Sequence, residues 1–488
     1  MCAMLPPFRS KTERSQFIAW ANRQLWLYGC DLETEWRQAG EEGRDLRTVS
    51  AEFRKLRATE PKTDYHEKLI SGRRDLQWLE RALALTDRVQ TLPLRKDYGY
   101  AEPDDLRGIR AARGRGPAVP RWHGTKAQFA DRARGGFLGR VAGCMLGKPF
   151  ECVDRASIRM YAEETGNWPL RTYQRQPTAA ELRRILRRKP LRPVRSWQLA
   201  FYIDLNDGFP SDDDINYTVL GMEVMRRHGA DFTPDDMASL WVQQLPILAT
   251  CTAERAAYRN FIEGWLPPRS AARRNPYREW IGAQIRADFF GYAAPGDPAR
   301  AAEWAWRDAS ISHTRNGIYG EMWVAAMLAA AYVLTDWPAI IRAGLAQVPR
   351  RSRLHAGIEQ ILALHATGVP HEEVLDGIHR EWNEFTTHGW CHTIANAQVV
   401  AASLLYGGDD FTTTIAYAVA AGFDTDCNGA TAGSVWGVRY GEKALPKRWL
   451  RPLRNKLRTN LAEYPLVSLD EMARKIVTVA ESVRSRRR

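Results

Sequence analysis

Glycine recurs at every fourth position in two widely separated stretches, and this restricts the fold more than any other feature of the chain. Residues 135–151 read GGFLGRVAGCMLGKPFE, with glycine at 135, 139, 143 and 147, and residues 422–441 read GFDTDCNGATAGSVWGVRYG, with glycine at 429, 433, 437 and 441. Each interior glycine costs a helix about 1 kcal/mol relative to alanine. A four-residue spacing stacks the glycines along one helical face, which makes sense where another backbone comes very close. Two such helices are natural partners, and their pairing predicts that Glu151 and the segment carrying Asp424 and Asp426 share one region. Glycine by itself says nothing about chemistry.

The acids are more informative. Carboxylates two residues apart within a helix would point about 200° apart, so Asp424 and Asp426 are expected on the loop leading into the second glycine helix. Another acidic element, Ser211-Asp212-Asp213-Asp214, follows Gly208-Phe209-Pro210 and precedes the apolar-periodic INYTVLGMEVM. Three adjacent carboxylates repel one another unless a cation holds them. A helix N-cap and the helix dipole account for one or two of them. The serine hydroxyl and two carboxylates also form a hard-oxygen set suited to Mg2+, Mn2+ or Ca2+, and with Asp424 and Asp426 they could hold a pair of ions.

At 488 residues the chain is long enough for two or three domains, and its 18 tryptophans suggest a large, mostly helical core. The first residues carry no apolar run resembling a signal peptide, and the block 322–334 is shorter than a membrane span requires. The expectation is a cytoplasmic protein without a membrane association. The seven cysteines include no CxxC pair, which argues against a disulfide framework or structural zinc site. A net charge of +13 favours acidic partners. Basic residues cluster at 107–121 and again at 171–195, where nine Arg and Lys accompany only Glu181. Neither cluster has the interleaved aromatics of a single-strand binding surface, so nucleic acid is not favoured.

Residues 1–122 read as an accessory helical region ending in a basic linker, with amphipathic spacing in SQFIAWANRQLWLYGC and DLQWLERALALTDRV. Residues 123–488 read as the main domain, interrupted by a basic insert at about 155–207. Within the insert, Thr178 and Glu181 have the spacing of a capping box, and Pro190 stops the helix that follows.

The order of GGFLGRVAGCMLGKPFE, PSDDDINYT and GFDTDCNGATAGSVWGVRYG resembles the ADP-ribosylglycohydrolase family over about residues 133–453. The resemblance implies an all-α fold and cleavage of the glycosidic bond at ribose C1 of an ADP-ribosylated protein or ADP-ribose-like small molecule. It implies two divalent ions, Mg2+ or Mn2+, on Ser211, Asp212, Asp213, Asp424 and Asp426. Glu151, Asp213 and Asp426 take the catalytic roles. The stretch 276–322 resembles the family's nucleotide-holding region, with Gly282, Arg286, His313, Asn316 and Gly317 near the substrate, and Trp390 and His392 are further candidates for the pocket wall. Three positions depart from the family pattern: Cys144 replaces a usual Asp, Asp214 a usual Thr, and Cys427 a hydroxyl residue that helps ligate metal. A thiol is a poor partner for Mg2+. These departures keep two alternatives open, an N-glycosidase acting on another nucleoside or nucleotide and a non-catalytic ADP-ribose-binding member of the fold.

Overall fold

The structure, a computed structural model, describes residues 31–60, 73–194 and 198–485. The stretch SQFIAWANRQLWLYGC lies outside them. Among the described residues the fold is all-α, relieved by one two-stranded antiparallel sheet in which Leu457 pairs with Val467.

The helices Lys126–Gly147 and Thr425–Tyr440 form the centre. A methyl group built on Gly135 would fall on the carbonyl oxygen of Gly437, one on Gly139 on that of Gly433, one on Gly143 on that of Gly429, and one on Gly147 on that of Thr425. Each step of four along one helix is a step of four backwards along the other, so the two run antiparallel with backbone against backbone. Only glycine permits this approach, which explains its fourfold spacing. The Thr425 hydroxyl donates to the Gly147 carbonyl at 2.9 Å and pins the register at the functional end. The first helix opens on a capping box between Thr125 and Gln128, and the second ends at Gly441, whose positive φ of 88° suits glycine.

Other helices surround this pair. The helix Arg315–Ala331, buried along nearly all its length, absorbs the apolar block that is too short to span a membrane. It packs against Pro298–Ala309, which opens on an Asp297 N-cap with proline at the first helical position. No described helix is long and apolar enough to cross a membrane.

The helices Leu32–Glu41, Ser50–Ala58 and Arg73–Thr91 precede the central pair along the chain. They enclose a small core of their own around Val49, Leu56, Trp78, Leu85 and Val89. Ion pairs hold them to the main body. Arg278 reaches Glu35 at 2.8 Å and Glu42 at 2.7 Å, and Arg274 reaches Asp87 at 2.7 Å.

The insert contains the helices Arg155–Glu164 and Ala179–Arg187, and the Thr178–Glu181 capping box forms. Arg175, Arg184 and Arg188 pair with Glu181, Glu164 and Glu163. The end of the insert crosses over the Lys148–Glu151 turn, where the Gln198 amide donates to the carbonyls of Pro149 and Glu151.

Replacing Gly143 with alanine forces the central helices apart. Urea unfolding is expected to show a loss of at least about 1–3 kcal/mol, whereas alanine at Gly99, which faces open space, leaves the midpoint nearly unchanged.

Candidate functional site

The antiparallel register places the C-terminal end of the first glycine helix beside the N-terminal end of the second. Helix dipoles favour a cation at the former and anions at the latter, and the chain supplies both. Asp424 is the N-cap of Thr425–Tyr440 and Asp426 lies in its first turn. Lys148 follows Gly147 directly, and Glu151 ends the short turn Lys148–Phe150.

The second acidic element arrives through Arg140. This fully buried arginine bonds the Asp214 carboxylate at 2.7 Å, the Asp214 carbonyl and the Asp288 carboxylate at 2.8 Å. It thereby clamps the Asp212–Asp214 turn to the flank of the first glycine helix. Asp212 caps the helix Asp213–His228 by accepting from the Asp214 backbone amide at 2.9 Å.

The three acidic segments converge on the Lys148 ammonium. Its Nζ lies 2.6 Å from Asp212 Oδ2, 2.9 Å from Glu151 Oε2 and 3.1 Å from Asp426 Oδ2. Burial opposes the lysine charge, but Asp212, Glu151 and Asp426 outweigh it and raise the pKa well above the ordinary lysine value. The Phe201 ring covers the ammonium at 5.3 Å. Burial raises the carboxyls of Asp213 and Asp424, each pushed further by an acidic neighbour, Asp212 and Asp426 respectively. Burial opposes the charge of Asp212 as well, yet Lys148 holds it below the ordinary range. Glu151 is pushed up to about 7, by burial first and by Asp426 among its neighbours, against the pull of Lys148. Cys152 and Phe423, the residues adjoining Glu151 and Asp424, both take positive φ, 63° and 56°. Such backbone strain in non-glycine residues is concentrated at functional sites.

Asp212, Asp213, Asp424, Asp426 and Glu151, expected together from the sequence, therefore meet in one place. Ser211 lies half-buried at the same turn. Asp214 is turned away into the core by Arg140.

One side of the cluster fits a divalent ion. Ligand atoms of Asp424, Asp426 and Cys427 all lie within 4.8 Å of one another, and Asp426 Oδ1 is buried with no donor among the described residues. The other side does not fit one as it stands, because the Lys148 ammonium occupies the space between Asp212 and Asp426.

The residues expected to hold the nucleotide separate into two further clusters. Arg286 is buried against Asp308 at 2.6 Å, Ser312 at 2.8 Å and Glu254 at 3.1 Å. Its donors serve these partners, so the expectation that it lies against the substrate meets a filled ion cluster. His313 lies beside it with Nδ1 on the Ser312 hydroxyl, and burial followed by Arg286 keeps its pKa well below the histidine norm. Gly282 gives Glu254 room, since a Cβ there would strike its carboxylate.

Asn316 bonds Glu279 and Glu102 and accepts from the Leu354 amide. Gly317 packs on the Arg278 carbonyl. Trp390 is partly buried, and Asn396 ties its carbonyl to the acidic site by also accepting from the Asp424 backbone amide at 3.1 Å.

His392 faces Glu41 and Glu279 at 3.6 and 3.7 Å, and His388 faces Glu41 at 2.9 Å. The histidines have HxxxH spacing. However, the Nδ1 of His388 accepts a hydrogen bond from Trp280 Nε1 and that of His392 accepts one from the Ile394 amide, which leaves the proton on the Nε2 facing the carboxylates. This arrangement suits a hydrogen-bonded cluster rather than a zinc site.

A cavity of about 840 Å3 is walled on one side by the insert, lined in part by Arg155, Trp168, His371, Phe385, Tyr417 and Arg448. None of the converging acids lines it. Lys148, Arg140 and Asn396 are the residues that the sequence reading passed over. The signal for Arg140 is an arginine inside a glycine stripe and for Lys148 a lysine between the last glycine and Glu151, whereas Asn396 carries none.

These features define an all-α protein whose carboxylates gather at the junction of two antiparallel glycine helices. The description of the ADP-ribosylglycohydrolase family matches residues 125–485, and the chain belongs to that family. Among solved structures, one titled "ADP-ribosylglycohydrolase-related protein complex" is similar, with 19% identity, 73% of this chain and 99% of that chain covered, and a TM-score of 0.44. A search of curated proteins finds no match.

Two outcomes follow. Arg286→Met leaves the buried carboxylates of Asp308, Glu254 and Glu321 uncompensated and is expected to lower unfolding free energy by about 3–5 kcal/mol, measured by urea titration. In chelator-treated protein, the raised Glu151 pKa makes its stabilising contribution complete below about 4.5 and lost as pH rises through about 7. The stability of wild type relative to Glu151→Gln should therefore fall by on the order of 3 kcal/mol across that window.

Proposed function

We propose that this chain hydrolyses the glycosidic bond at ribose C1 of an ADP-ribosyl group carried by a protein or small molecule. The observation that carries this reading is the convergence of Asp212, Glu151 and Asp426 at one buried point, in a chain of the ADP-ribosylglycohydrolase family.

Cleavage at the anomeric carbon builds positive charge on the ribose and requires a proton for the leaving group and a base for water. The carboxylates of Asp424 and Asp426 favour that positive charge. Glu151, with a pKa of about 7, is available in both protonation states near neutral pH and suits proton transfer. Asp213, whose carboxyl burial and Asp212 push well above the ordinary range, suits a second proton carrier.

Asp424, Asp426 and Cys427 would hold a divalent ion, Mg2+ or Mn2+. When bound it supplies Lewis-acid polarisation and lowers the pKa of a coordinated water. The Cys427 thiol favours the softer of the two, Mn2+. The Gln198 end of the insert screens the Lys148–Glu151 turn from water. A cytoplasmic location suits such a substrate.

The test is release of free ADP-ribose, followed by chromatography, from ADP-ribosyl-arginine, ADP-ribosyl-serine and O-acetyl-ADP-ribose. Free nucleosides in the same panel address the alternative glycosidase, which Cys427 motivates. Asp424→Asn and Asp426→Asn should each lower turnover by about 100-fold or more with an unchanged circular dichroism spectrum. Undiminished hydrolysis in both variants would sink the reading.

A further inference from the structure

The family resemblance implies two divalent ions, yet the acidic segments already meet around a cation that the chain provides. Lys148 Nζ stands within 3.1 Å of carboxylate oxygens from Asp212, Glu151 and Asp426. An ammonium has three donors; here it hydrogen-bonds Glu151 and Asp426 and forms an ion pair with Asp212. The lysine has little freedom to leave. It is 9% exposed, its segment is tied down by Gln198 through the Pro149 and Glu151 carbonyls, and Phe201 covers it. Turning it outward would strand Asp212 and Asp426, which are only 4% and 2% exposed.

A second observation, independent of the lysine, points the same way. Cys144 stands where the family resemblance places an aspartate, and its thiol lies within 4.8 Å of ligand atoms of Asp212 and Asp214. Asp214 in turn belongs to Arg140. On this side a neutral thiol therefore stands where the resemblance places a negative charge. Loss of one negative charge and replacement of a dication by a monocation leave the local balance unchanged.

We propose that the Lys148 ammonium permanently takes the place of one of the two divalent ions, so that the native site binds a single ion on the Asp424, Asp426 and Cys427 side. The proposal rests on the metal-site part of the functional reading and is independent of the substrate. Lys148 is in these terms a positioning residue: it draws Asp212 and Asp426 together as a metal would, without offering an open coordination position. The reactive ribose then meets one metal ion and a fixed ammonium.

The test counts ions. Full-length wild type and Lys148→Ala are stripped with chelator and titrated with Mn2+, with bound metal measured by elemental analysis and by electron paramagnetic resonance. The proposal expects Lys148→Ala to bind one Mn2+ more than wild type, and the mononuclear six-line signal of wild type to give way to a broadened, spin-coupled spectrum. Equal counts in the two proteins would overturn it, as would two ions in wild type.

Should the alanine variant fail to fold, Lys148→Ser also clears the space between Asp212 and Asp426 while keeping a polar group there. Added Mn2+ is expected to raise its melting temperature by several degrees more than that of wild type, and equal shifts would overturn the proposal. Hydrolysis of the ADP-ribosyl panel is scored separately. An extra ion in the variant together with an inactive wild type would defeat the functional reading and leave this inference standing.

Discussion

The contact between two glycine-lined backbones determines where everything else sits. Because Gly135, Gly139, Gly143 and Gly147 lie against Gly437, Gly433, Gly429 and Thr425, the helices are locked antiparallel in a single register. A Cβ at any of these contacts would have to displace a main-chain atom, which has no rotamer to yield. The register brings a helix C-terminus and a helix N-terminus side by side. The dipoles then favour a cation on one and carboxylates on the other, and Lys148 and Asp426 answer that demand across a gap of hundreds of residues in sequence.

Charge compensation by the protein itself runs through the same region. Three consecutive aspartates would repel if left alone, but Arg140 takes Asp214 and Lys148 takes Asp212. Similar buried clusters recur at Arg286 with Asp308 and Glu254, and at Arg353 with Glu279 and Glu102. Each is costly to desolvate and costlier to break. This explains why arginines that look available in sequence are already committed in the fold.

The glycine periodicity was enough to foresee the central helix pair, because a packing requirement of that kind leaves a mark on every fourth residue. The acidic elements were legible because their carboxylates are too closely spaced to be ordinary surface, and the all-α class followed from the family resemblance. The partners of Arg286 and Asn316 were not legible. Glu254, Asp308, Glu102 and Glu279 are scattered along the chain and come together only through tertiary packing. Lys148 was visible in GKPFE but carried no local signal of its direction, since a lysine beside a helix end is ordinarily solvated. Its role depends on Asp212 and Asp426 arriving from elsewhere.

The central claim is that the glycine register brings three acidic segments onto a lysine ammonium. A crystal structure of the full chain grown with Mn2+, with data collected at the manganese absorption edge, tests this most directly. The account predicts Lys148 Nζ within hydrogen-bond distance of Asp212, Glu151 and Asp426 and a single anomalous peak beside Asp424 and Asp426. Two manganese peaks, one of them between Asp212 and Asp426 with the lysine turned away, would contradict it.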